Sequence, residues 1–134
     1  MRFSKVLPPF SRVLPPILAC LLLAAVGCAG PGPAKTVEEF HRSLARGDVD
    51  AALACLSREV VEVLGESKLR LGLRQTVEAI EGRGGIETLE VSEGEVEDTE
   101  ATVEIDVRYG NGEREEDAVK LVLEDGAWKL APVK

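Results

Sequence analysis

From Ala101 to Tyr109 every odd position is apolar (Ala101, Val103, Ile105, Val107, Tyr109) and every even one is polar or charged. A period of two is what a half-buried antiparallel strand needs. Gly110-Asn111-Gly112 follows as a tight-turn signal. The next strand spans Arg114 to Glu124 and turns Val119, Leu121 and Leu123 inward. Asp125-Gly126 predicts another hairpin, leading into Ala127-Trp128-Lys129-Leu130. Ahead of these, Ile86–Val96 reads as a first strand with Leu89 and Val91 inward. Val96 has the opposite parity, so Gly94 marks a bulge that resets the facing.

Upstream of Gly85 the period is helical. Thr36-Val37-Glu38-Glu39 has the capping-box pattern, which predicts a helix start with Thr36 as its cap. Val37, Phe40 and Leu44 share one face, and Gly47 offers the stop. Asp48 caps a second helix, from Val49 to about Leu56, that buries Ala52, Leu53 and Leu56. Val60, Val61 and Leu64 then form a short helical cluster, with a break near Gly65–Glu66. A longer run from about Ser67 steps through Leu69, Leu73, Val77 and Ile80, and Gly82, Gly84 and Gly85 end it. Gly72 inside that run costs about 1 kcal/mol relative to alanine. The expected fold class is α+β: three N-terminal helices packed on a curved four-stranded antiparallel sheet, whose apolar face only those helices can cover.

The first 27 residues differ in kind. They hold three basic residues (Arg2, Lys5, Arg12) and no acidic one, then an apolar stretch Ile17–Val26 and small residues. That is the layout of a secretory signal. The apolar core is ten residues long, short of the ~20 that span a bilayer. A wider window from Val13 to Gly30 contains Pro15-Pro16, which disfavour a continuous helix. An uncleaved membrane anchor is the second reading of this segment.

Ala25-Val26-Gly27-Cys28 resembles the lipobox of bacterial lipoproteins, which typically reads Leu-Ala-Gly/Ala-Cys; Ala25 is the less typical residue there. The resemblance implies cleavage between Gly27 and Cys28, a diacylglycerol on the Cys28 sulfur, and a new amine open to acylation by a chain such as palmitate. Cys20, preceded by Ile17-Leu18-Ala19, is a rival, but an apolar stretch follows it, whereas a Gly/Pro-rich segment follows Cys28. One acyl chain binds a bilayer only marginally, while two or three hold firmly. The expected organisation is a signal over 1–27, a lipidated cysteine and flexible tether over 28–35, and one folded domain over 36–134. Ala29 stands where enteric-type sorting places an Asp for inner-membrane retention. The expected location is therefore the cell envelope, on the periplasmic face of the outer membrane if the cell is Gram-negative.

Charge narrows the partners. Of 24 acidic and 16 basic residues, all the acids and 13 of the bases lie from Cys28 onward, a net charge of −11. That sign opposes contact with nucleic acid phosphate or an anionic leaflet, both of which attract Lys/Arg clusters. With Cys20 removed and Cys28 lipidated, Cys55 is the remaining thiol. It sits in an apolar helical stretch, where a small buried hydrophobe is the ordinary role.

Glu38-Glu39-Phe40, Ala45-Arg46-Gly47-Asp48 and Ala51-Ala52 resemble the opening of nuclear transport factor 2-like (cystatin-like) domains. Gly84-Gly85-Ile86, Ala101-Thr102-Val103 and Asp125-Gly126-Ala127-Trp128-Lys129-Leu130 match the second half. The same layout, preceded by a lipobox, is found in domain of unknown function family 4878, and the similarity covers about residues 36–131. It implies a curved sheet wrapped on a long helix with a pocket between, and it transfers no catalytic residue.

Candidate chemistry is thin. His41 is the single histidine and follows core residue Phe40. Asp106 faces the polar side of its strand and Tyr109 ends it, so neither is placed to make an acid/base pair with His41. The acidic run from Glu87 to Asp106 lacks the spacing of a calcium loop. Trp128 reads as packing. No catalytic, cofactor or metal residue is therefore assigned. The expected role is non-catalytic: a lipid bilayer held through Cys28, with an envelope protein, a small apolar ligand or a second copy as the domain's partner. An enzyme with an acid/base site in the cone-shaped pocket is the alternative.

Overall fold

The computed structural model describes residues 31–132. Cys28, the cut before it, the segment 1–27 and the rival Cys20 lie outside the described residues. Among the described residues four helices precede four strands: α1 Pro33–Arg46, α2 Val49–Ala54, α3 Arg58–Leu64, α4 Glu66–Gly82, β1 Ile86–Val96, β2 Glu100–Tyr109, β3 Arg114–Glu124 and β4 Ala127–Leu130. The strands form one antiparallel sheet in the order β1-β2-β3-β4. The architecture is α+β, and the interrupted helical stretch is two helices, α3 and α4, with Gly65 between them at φ +83°.

α1 corrects the expected start. It opens at Pro33 with Gly32 as N-cap, so Thr36 lies inside the helix and Pro33–Lys35, assigned to the tether, are helical. Proline at the first helical position lacks only an N–H that would be orphaned there, and its φ already suits a helix. The first turn closes through Thr36 N–H to Gly32 O at 3.3 Å. Glu39, freed from a capping role, accepts instead from Ser43 Oγ and Arg46 Nη2. Asp48 does cap α2, its carboxylate accepting from Ala51 N–H at 3.1 Å. Ser57 caps α3 in the same way through Val60 N–H.

The apolar periodicities meet in one core. Val37 and Leu44 of α1, Ala52 of α2, and Leu73 and Ile80 of α4 bury against Ala101, Val103, Ile105, Val107 and Tyr109 of β2 and Leu121 of β3. Leu121 and Val103 are wholly buried, each stabilising by about 1.5–3 kcal/mol. Leu64 departs from its expected place: it is 51% exposed. α3 is only seven residues long, so Val60 alone of it is buried. Gly94 lies in the expected bulge, where the register shifts between Glu93 and Val96 and returns Val96 opposite Ala101.

The segment between α2 and α3 seals the short edge strand. Leu130 N–H donates to Cys55 O at 2.8 Å and Ser57 N–H donates to Leu130 O at 2.9 Å, a parallel bridge alongside β4. β4 pairs only with Leu121–Glu124 of β3. The outer side of Arg114–Val119 therefore has no strand beside it among the described residues. No described helix is long and apolar enough to cross a membrane.

Candidate functional site

The helix-facing side of the sheet changes character along β3. In register, Glu115 lies opposite Val107 and Asp117 opposite Ile105, so both acids stand on the apolar face of β2. At that end α4 stops and its C-cap, Arg83, reaches the sheet. Arg83 Nη1 donates to Glu115 Oε2 at 3.0 Å, and Arg83 Nε lies 3.4 Å from Glu113 Oε2. Tyr109 Oη donates to the same Glu115 oxygen at 3.1 Å, and the guanidinium sits 4.8 Å from the centre of the Tyr109 ring. This cluster rims an open cleft of about 310 Å³ whose helical wall is Gly72, Gln75, Thr76, Ala79 and Ile80.

Electrostatics follow from the pairing. Burial, together with the charge and hydrogen bond of Glu115, pushes the Tyr109 phenol above its ordinary range. The hydrogen bond to Glu115 holds Arg83 firmly charged. At the rim Arg83, Tyr109 and Glu115 are thus paired with one another.

His41 is elsewhere. It lines a smaller hollow of about 190 Å³ with Arg42, Ala45, Ile86, Glu87 and Leu89. Its ring meets Phe40 edge-on at 5.4 Å, and its Nδ1 donates to Val37 O at 2.9 Å. Burial lowers its pKa; the bond to Val37 and the charge of Glu115 work in the opposite direction. Glu115 thus acts on His41 through its field alone: the two line separate hollows and no hydrogen bond joins them.

Asp106 stands on the other, outward face, as its parity predicts. Arg114 forks onto it at 2.9 and 2.6 Å and lowers its pKa. Glu116 takes the same guanidinium at 2.6 Å. Among the described residues no group of three His, Cys, Asp or Glu side chains converges to hold a metal. The Cys55 thiol is half-buried, donates to Ala51 O at 3.4 Å, and has its pKa raised by burial. Arg83, Glu113 and Glu115 were not singled out from the sequence. The available signal was the alternation of β3: counted back from Leu121 and Val119, it reaches Asp117 and Glu115 on the inner face.

The family model described as Domain of unknown function (DUF4878) matches residues 26–131. No curated protein matches the chain. Among solved structures it resembles a Campylobacter jejuni protein named as an NTF2-like transpeptidase, at 16% identity and a TM-score of 0.63. That match covers 77% of this chain and all of the other. At such identity the likeness is one of fold.

Proposed function

This chain belongs to the DUF4878 family, a domain of unknown function, and on that premise we propose that it is a lipid-anchored protein of the bacterial cell envelope whose folded part binds rather than catalyses. The observation that carries the binding half is the closed pairing at the cleft rim, where Arg83, Tyr109 and Glu115 satisfy one another. Such a rim presents fixed polarity around an open hollow, which suits recognition of a small molecule or a neighbouring protein. The anchoring half rests on Ala25-Val26-Gly27-Cys28 and the basic, then apolar, run before it. Ala29 favours the outer membrane of a Gram-negative cell.

The name of the Campylobacter jejuni protein suggests acyl transfer as a rival. That chemistry asks for an activated nucleophile. Cys55 is a poor one, because burial stabilises its protonated form.

Labelling with palmitate, followed by mass analysis of the mature N-terminus, tests the anchor. The wild-type chain should begin at Cys28 and carry label in the membrane fraction, and Cys28→Ser should carry none and be released. A mature protein that still begins at Met1 without acyl groups would overturn the reading.

A further inference from the structure

One surface differs from the rest of this acidic chain. Pro31 and Lys35 at the start of α1, Ala54 and Cys55 at the end of α2, and Trp128 and Lys129 of β4 line a shallow depression of about 490 Å³ whose surface is mostly apolar. Its one acid, Glu39, is turned onto Arg46 and Ser43. Lys35 and Lys129 flank a half-buried indole, the Lys129 ammonium donating to Ala54 O at 2.7 Å, on a body whose net charge is −11 from Cys28 onward.

Covalent reach decides what lies opposite. Pro31 is three residues after Cys28, so their Cα atoms can be no more than about 11 Å apart, whatever course the chain takes. The polar layer of a bilayer leaflet is roughly 5–7 Å deep. If the Cys28 sulfur carries lipid, Pro31 and the depression it lines are held in or immediately above the headgroups. Tryptophan and lysine are the side chains that settle at this level: the indole takes the interface, and the ammonium meets lipid phosphate within a Debye length. Glu90, Glu104 and Glu116 of the outward sheet face line a different groove, and the Glu93 carboxylate lies beside Gly32.

Resting on the lipoprotein reading above, we propose that the Pro31–Lys35–Trp128–Lys129 surface is the face with which the anchored domain sits on the phospholipid headgroups. The domain is then held in one orientation on the bilayer, with the Arg83–Glu115 cleft as a separate site.

Trp128 is the chain's single tryptophan, so its fluorescence reports this face alone. The acylated mature protein, its lipid confirmed by mass, would be placed in phosphatidylethanolamine/phosphatidylglycerol vesicles. Some of their lipids carry a nitroxide just below the headgroup. The indole emission should shift to the blue and fall roughly two-fold or more. In Trp128→Phe/Ala118→Trp, which moves the indole into the outward groove of Glu90, Glu104 and Glu116, it should not. Lys35→Glu should weaken the quenching. Unquenched Trp128 in protein that is acylated and vesicle-bound would overturn this orientation and leave the anchor standing. A blue shift that follows protein concentration without vesicles would instead assign the surface to a second copy. An unacylated mature chain would sink the anchor and this proposal together.

Discussion

A side chain on Gly110 would put its Cβ 2.4 Å from the carbonyl oxygen of Gly84, so the β2–β3 turn and the end of the last helix approach with no room between them. Gly110 N–H donates to Gly85 O at 2.9 Å and Asn111 N–H to Arg83 O at 2.8 Å. These bonds hold Arg83 beside Tyr109. Gly110→Ala should therefore lose about 1–3 kcal/mol in urea unfolding, and the Arg83–Tyr109 stack should loosen with it. Gly72→Ala is the matching control: nothing lies within 4 Å of its added carbon. In that helix interior alanine should gain about 0.5–1 kcal/mol.

Leu121 is wholly buried beneath the helices. Leu121→Ala should cost about 2–5 kcal/mol, read as a lower urea midpoint with an unchanged slope. An effect under about 1 kcal/mol would mean that the core is not packed as described.

Ser57 is fully buried and does two things: its Oγ accepts from Val60 N–H, and its backbone N–H reaches Leu130 O. Ser57→Ala removes only the first. A loss of about 0.5–2 kcal/mol is expected. Amide exchange at Val60 should quicken while that at Leu130, held by Cys55, stays slow.

His41 gives a pH dependence with a definite sign. Burial sets its folded pKa below the ordinary value near 6.5. As pH falls through 6.5 the unfolded chain takes up the proton first. Stability is therefore full above that value and declines down to the folded pKa, below which this group adds no further loss. The urea midpoint should show this decline in the wild type and lose it in His41→Gln. By NMR the His41 titration should move lower still in Glu115→Gln, because the Glu115 charge raises it.

How far these features were readable differs by element. The alternation of Ala101–Tyr109, the Asp48 cap and the Gly94 bulge are local signals, and the structure follows each. The start of α1 misled because two local signals competed, and Pro33 prevailed over the Thr36-x-x-Glu39 pattern. Leu64 misled because periodicity does not say where a seven-residue helix runs out of core. Arg83 and Glu115 are 32 positions apart and meet only through the sheet register and the Gly84–Gly110 contact. No window of sequence contains both. Cys28, the one residue assigned a chemical fate, lies outside the described residues.

The uncovered run of β3 has a consequence for behaviour in a crowd. A naked strand margin is a template on which further chains can add, and fibres grow that way. Here the margin carries Arg114, Glu115, Glu116 and Asp117, and Asp117 turns its carboxylate back onto Ala118 N–H at 2.8 Å, occupying that donor. An incoming copy would meet one cation among three acids and a hydrogen-bond slot already filled. Many molecules can therefore stand shoulder to shoulder without knitting into β-ribbons along that margin.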